Sequence, residues 1–220
     1  MGRKLNIFML LSLSLLLSYG AGCQDTGRFA VSGTGGTLGL GGEFTAGIAD
    51  NVKARVGMST FNFDMDEEFD DVEYELDLGL NSVSALVDWH VFQDSFHLTG
   101  GFISLDNDID LDATPTEDVE IGDRTYTPAE VGIISGSVDI DGMAPYVGIG
   151  WGNPLTNNKR WGFTFDLGIA FADSPDVSLS ATGLAAGLAE DLEKERKEIE
   201  DDLEVVEFYP VIYMGFYYRF

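Results

Sequence analysis

The 220-residue sequence has one cysteine, two histidines and only 12 lysines and arginines, against 38 aspartates and glutamates. A lone cysteine closes no intramolecular disulfide, so backbone hydrogen bonds and packing must hold the fold together. The shortage of basic residues leaves a formal charge of −26 and argues against nucleic acid as a partner, because its phosphates would be repelled. Long apolar runs are also missing. The longest, Ile7 to Leu17, is interrupted by serines and too short to cross a bilayer as a helix, and no later segment approaches eighteen consecutive apolar residues.

That early run reads instead as a secretory leader. Arg3 and Lys4 form its basic start, Ile7 to Leu17 its apolar centre, and Gly20 to Cys23 a stretch of small residues. Cleavage before Gln24 places Ala21 and Cys23 at the third and first positions before the cut. A lipoprotein with acylated Cys23 is the alternative, although that signal wants a large aliphatic residue where Gly20 stands. The sequence thus divides into a signal peptide, residues 1–23, and one mature domain, residues 24–220. Loss of Arg3 and Lys4 from the 12 basic residues leaves 10 against 38 acids, a charge of −28. Exported to an oxidising compartment, the mature chain still forms no internal disulfide.

What is present is two-residue alternation. The closing stretch puts Ile212, Met214, Phe216, Tyr218 and Phe220 on one strand face and Tyr213, Gly215, Tyr217 and Arg219 on the other. An aromatic strand ending on Phe resembles the signal read by the barrel-assembly machinery of outer membranes. Residues 37–49 alternate likewise, Asp50-Asn51 makes a tight turn, and Val52 to Met58 resume the apolar face. After Ser59 the phase slips to Phe61, Phe63 and Met65, which suggests a bulge or a strand leaving the barrel wall. Residues 72–90 show a similar change near Asn81-Ser82. Further strands read at 96–112, 136–151 and 161–172, where Trp161, Phe163, Phe165, Leu167, Ile169 and Phe171 oppose small or polar residues.

Periodicity alone does not say which face looks inward, but the small face is glycine-rich and poor in charge, as suits a narrow lumen. Trp89, Trp151 and Trp161 flank short turns, as expected of an aromatic girdle at a membrane interface. Short links at 50–51, 92–95 and 152–159 alternate with longer ones at 66–71, 113–134 and 174–204, which places both termini in the periplasm and requires an even strand number. Phe29 to Gly35 supplies the eighth strand. The expected fold is all-β, a transmembrane antiparallel up-and-down barrel of eight strands. It carries one helix, at about 184–204, in the last extracellular loop, with a Leu188, Leu192, Ile199, Leu203 stripe and Glu190/Lys194 and Glu193/Lys197 pairs. That helix is either a solvated surface element or a lid whose leucines cap the barrel mouth or meet a partner.

Leu38 to Asn51, Ala144 to Trp151, Trp161 to Gly168 and Tyr217 to Phe220 resemble the OmpW family and related small outer-membrane barrels, and the chain also resembles uncharacterised barrels with an Asp88-Trp89-His90 step before the second short turn. The resemblance spans most of the mature chain. It implies an eight-stranded outer-membrane barrel with outer-membrane lipid and lipopolysaccharide as surroundings, and passage of small hydrophobic compounds as an activity. The helix and the acidity depart from the family pattern, so transport carries over weakly.

Candidate chemistry is sparse. His90 and His97, with Asp88 and Asp94 nearby, have no serine motif to make a lipid-modifying hydrolase, and are expected at the membrane interface. Asp106, Asp108, Asp110 and Asp112 share one strand face and are candidates for divalent cations at an acidic rim, but Leu111 stands where a calcium loop needs glycine. Glu43, Lys53, Arg55, Asp77, Asp166 and Arg219 are expected in the lumen, with Glu43 opposite Lys53 or Arg55. Charges there must pair or stay wet. A paired lumen means a plugged barrel with a structural or surface-interaction role. A wet one means a minor channel for small hydrophobic solutes. No catalytic activity and no cofactor are expected.

Overall fold

The structure, a computed structural model, describes residues 29–69, 72–91, 95–155, 160–203 and 207–220; the leader and Cys23 lie outside them. In chain order the elements are β1 (Phe29–Gly36), β2 (Gly39–Ala49), β3 (Val52–Phe69), β4 (Val72–Trp89), β5 (Phe96–Thr114), β6 (Val119–Ile121), β7 (Arg124–Tyr126), α1 (Pro128–Val131), β8 (Ile134–Trp151), β9 (Trp161–Phe171), β10 (Asp176–Ala181), α2 (Leu188–Asp202) and β11 (Phe208–Arg219). Strands β1–β5, β8, β9 and β11 form a closed antiparallel barrel, each beside its neighbour in the chain. The last strand completes the ring by pairing with the first, from Ala30↔Arg219 to Gly36↔Tyr213. Closure leaves no free edge in the wall, the condition for crossing lipid with strands.

Alternation sets the two faces of the wall. Val56, Met58, Val147, Phe163, Ile212 and Met214 point outward and are exposed, while Thr45, Arg55, Tyr146, Asp166 and Val211 point inward and are buried. In water such an apolar surface would be a large liability; against lipid it is the expected exterior. Trp89, Trp151 and Trp161 are exposed at one end of the barrel, where Val52 faces Trp89, Phe96 faces Trp151 and Trp161 faces Tyr218. This is the short-turn end.

Beyond the other end, β3, β4, β5 and β8 continue as an open sheet that β10 extends. The pleat runs on without a register shift between β3 and β4 or between β4 and β5. The phase slips in the sequence are therefore not bulges. Outward residues that meet lipid lower down meet water here, so the apolar residues move to the inner face. Phe63–Leu78–Ile109–Val138–Val177 and Met65–Leu76–Leu111 form inner rows, and Asp64–Asp77–Asp110 and Asp108–Asp139–Asp176 form outer rows. The expected long link at 66–71 is corrected for the same reason: residues 66–69 stay in β3, paired with 72–75 of β4.

The loop containing β6, β7 and α1 packs with β10 and α2 into a cap with its own core of Ile121, Tyr126, Val131, Leu188 and Leu192. Leu188 and Leu192 of the α2 stripe thus serve the cap. Inside it, Asp191 is fully buried, accepts a hydrogen bond from the Tyr126 hydroxyl at 2.7 Å and pairs with Lys194 at 3.2 Å and Arg124 at 3.5 Å. On the solvent side of α2 the Lys197–Glu193 pair forms at 3.3 Å, whereas Lys194 is drawn to Asp191 and Asp123.

Candidate functional site

The inward faces of the membrane-level strands bring a charged cluster to the barrel centre. Arg55 of β3 is 2% exposed and reaches three carboxylates: Asp88 of β4 through Nε at 2.9 Å, Asp166 of β9 through Nη2 at 2.9 Å and Glu43 of β2 through Nη1 at 3.5 Å. The Tyr213 hydroxyl of β11 accepts from Arg55 Nη1 at 3.0 Å and donates to Glu43 at 2.9 Å. Thr99 of β5 donates to Asp88 at 2.8 Å, and His97 Nε2 lies 3.2 Å from Asp166. Six strands are thus tied across the lumen by one guanidinium, its acids and their partners. Guanidinium geometry suits this role, since its fork of donors serves several oxygens at once.

A second group sits toward the short-turn end. Lys53 Nζ lies 3.2 Å from His90 Nε2 and donates to the Asn153 side chain. The His90 and His97 rings are 4.9 Å apart and join the two groups. Small residues make the room: a Cβ on Gly150 would come within 2.3 Å of His97 Nε2 and 2.7 Å of Asp166, and one on Gly168 within 2.4 Å of the Tyr146 hydroxyl. The glycine-rich face seen in the sequence is the space these bulkier inward side chains occupy.

Of the residues expected in the lumen, Glu43, Arg55 and Asp166 come together. Lys53 is inward and buried, but meets His90 and Asn153 rather than Glu43. Arg219 donates to the Leu155 carbonyl at 3.2 Å, apart from the cluster. Asp77 is corrected. It lies on the outer face of the sheet extension, level with Asp64 and Asp110, because apolar and polar faces exchange above the membrane.

The histidines are corrected as well. His90, His97 and Asp88 are buried in the lumen, 1%, 2% and 3% exposed, not at the lipid interface. Alternation carried the signal: Val87 and Trp89 outward require Asp88 inward, and Phe96 and Leu98 require His97 inward. Tyr213 and Thr99, which complete the cluster, follow from the same parity. Asp106, Asp108, Asp110 and Asp112 occupy successive outward positions of β5, where the extended backbone separates them. Among the described residues no group of three or more histidines, cysteines or acids converges as a set of metal ligands.

Above the cluster, Leu38, Glu43, Gly57, Leu86, Ile103 and Tyr213 help line a hollow of about 10 Å³, the room of about one water. Fold and site together define a small transmembrane β-barrel of the outer-membrane type, eight-stranded and with a charged cluster in its lumen. Two solved structures share that fold. CarO2 of Acinetobacter baumannii matches with a TM-score of 0.64 at 18% identity, over 90% of this chain and all of that one. CarO of Acinetobacter baumannii matches with a TM-score of 0.62 at 22% identity, over 88% of this chain and 98% of that one. Comparison with protein-family models gives no match, and comparison with curated sequences gives none.

Proposed function

We propose that the protein is an integral outer-membrane barrel with a structural or surface-interaction role, its cap and acidic sheet extension outside the cell and both termini in the periplasm. The observation that supports this reading is the crossing of the lumen by Arg55 and its three carboxylates, since a lumen crossed by ion pairs favours a plug over a wet channel. Orientation follows from the short turns and the tryptophans at one end and the long connections at the other. Outer-membrane lipid and lipopolysaccharide are the surroundings, the barrel-assembly machinery is the partner during insertion, and divalent cations neutralise the acidic face where it nears lipopolysaccharide phosphates. No catalytic role is proposed. Refolded protein in planar bilayers is expected to show negligible conductance, and large stable channels would overturn the plug.

A second reading, a route for small hydrophobic solutes, draws on the apolar inner rows of the sheet extension, which descend toward Leu38, Leu86 and Ile103. Saturable uptake of a small apolar fluorophore by vesicles containing the barrel would favour it.

A further inference from the structure

We infer that the free edge of β3 above the membrane docks an extended cationic segment of a partner protein, which joins the sheet as an added strand. The inference rests on the surface-interaction reading above and names the chemistry of the partner. On the barrel side, β2 reaches β3 only as far as Leu40 opposite Thr60, whereas β3 runs on to Phe69. Over residues 61–69, β3 is paired with β4 alone, so among the described residues the backbone row on its other side has no partner strand. Such a row is a template for another chain. At the opposite margin of the same sheet, α2 packs against β10.

The two faces beside the free edge specify what fits. On the inner face Phe61 and Phe63 stack with ring centroids 6.5 Å apart and remain exposed, with Leu80 and Leu78 opposite them on β4. On the outer face Asp64 is exposed and begins the row Asp64–Asp77–Asp110. An added strand therefore sets one alternate series of its side chains beside phenylalanine and the other beside aspartate. Alternating apolar and basic residues satisfy both, since opposite charges across strands attract and like charges repel. A second copy of this chain pairing edge to edge would bring acids against acids. A phosphate-rich lipid surface is repelled in the same way.

The test uses the full refolded chain and an alternating Lys-Val octapeptide. Two controls accompany it: the same peptide N-methylated at alternate amides, which keeps its charge but loses strand donors, and a Glu-Val octapeptide. Binding is expected for the Lys-Val peptide, with slowed amide exchange confined to residues 61–69. N-methylation should cost roughly tenfold in affinity or more. The substitution D64K should cost roughly two- to fivefold. Equal binding of the N-methylated peptide, equal binding of the Glu-Val peptide, protection elsewhere in the chain, or self-association through β3 without peptide would each overturn the proposal. The two readings fail separately: large channels in bilayers would remove the plug and leave the peptide result standing, while indifference to N-methylation would remove the docking edge and leave the plug.

Discussion

Arg55 decides how the barrel interior is held. Its guanidinium neutralises carboxylates brought from β2, β4 and β9, all of them buried. Breaking a buried ion cluster by removing one partner is far more costly than replacing the whole of it. Arg55→Met is accordingly expected to destabilise the barrel by about 3–5 kcal/mol in urea unfolding from detergent micelles. Glu43→Gln, Asp88→Asn and Asp166→Asn together with Arg55→Met should recover much of that loss. The glycines beside Tyr146 make a second test. A methyl at Gly168 would meet the Tyr146 ring and hydroxyl at 2.4–2.5 Å, so Gly168→Ala should cost about 1–3 kcal/mol through overpacking, and Tyr146→Leu should relieve it. The lumen position of Glu43, Arg55 and Asp166 was legible from alternation alone. The meeting of these residues was not, because residue parity gives a face and no height across the barrel.

At the scale of elements, the cap and the sheet extension depend on acids in opposite ways. Hydrogen bonding from Tyr126, and then the charges of Lys194 and Arg124, hold the Asp191 carboxyl below its ordinary value of 3.8. A depressed value means that its contribution to the cap is present above pH 3.8 and is lost as pH falls through the lower, folded value. Amide exchange in α2 should stay slow at pH 4 and rise below it, and Asp191→Asn should raise it roughly tenfold at neutral pH. For Asp139 the sign reverses. Burial, and then Asp141, Asp110, Asp176 and Asp108, push its carboxyl up from 3.8, so the sheet loses stability as pH rises through that raised value. Asp139→Asn is expected to slow exchange in β8 and β10 at pH 7 and to leave it unchanged at pH 3. The long link placed at 66–71 illustrates what pattern reading misses here. Acids following an apolar run resemble a loop, yet once the strands clear the lipid an acidic outer face is what a solvated sheet requires.

For the whole molecule, surface character is segregated along one axis: apolar wall and tryptophans at one end, acids and cap at the other. Added salt should therefore stabilise the sheet extension and cap while leaving the barrel wall unchanged, as followed by amide exchange at low and moderate ionic strength. The sequence by itself determined the barrel, its strand number, the outward and inward sets at membrane level and the helix in the last long connection. These rest on local periodicity, turn chemistry and the closure that lipid demands of strands. Only the tertiary structure decided that Arg55 is the centre of a buried charge cluster, that the histidines join it, that Asp77 turns outward and that Leu188 and Leu192 of α2 serve the cap. Each of those depends on which residues from distant strands share a height on the barrel axis and on which solvent lies outside the wall at that height.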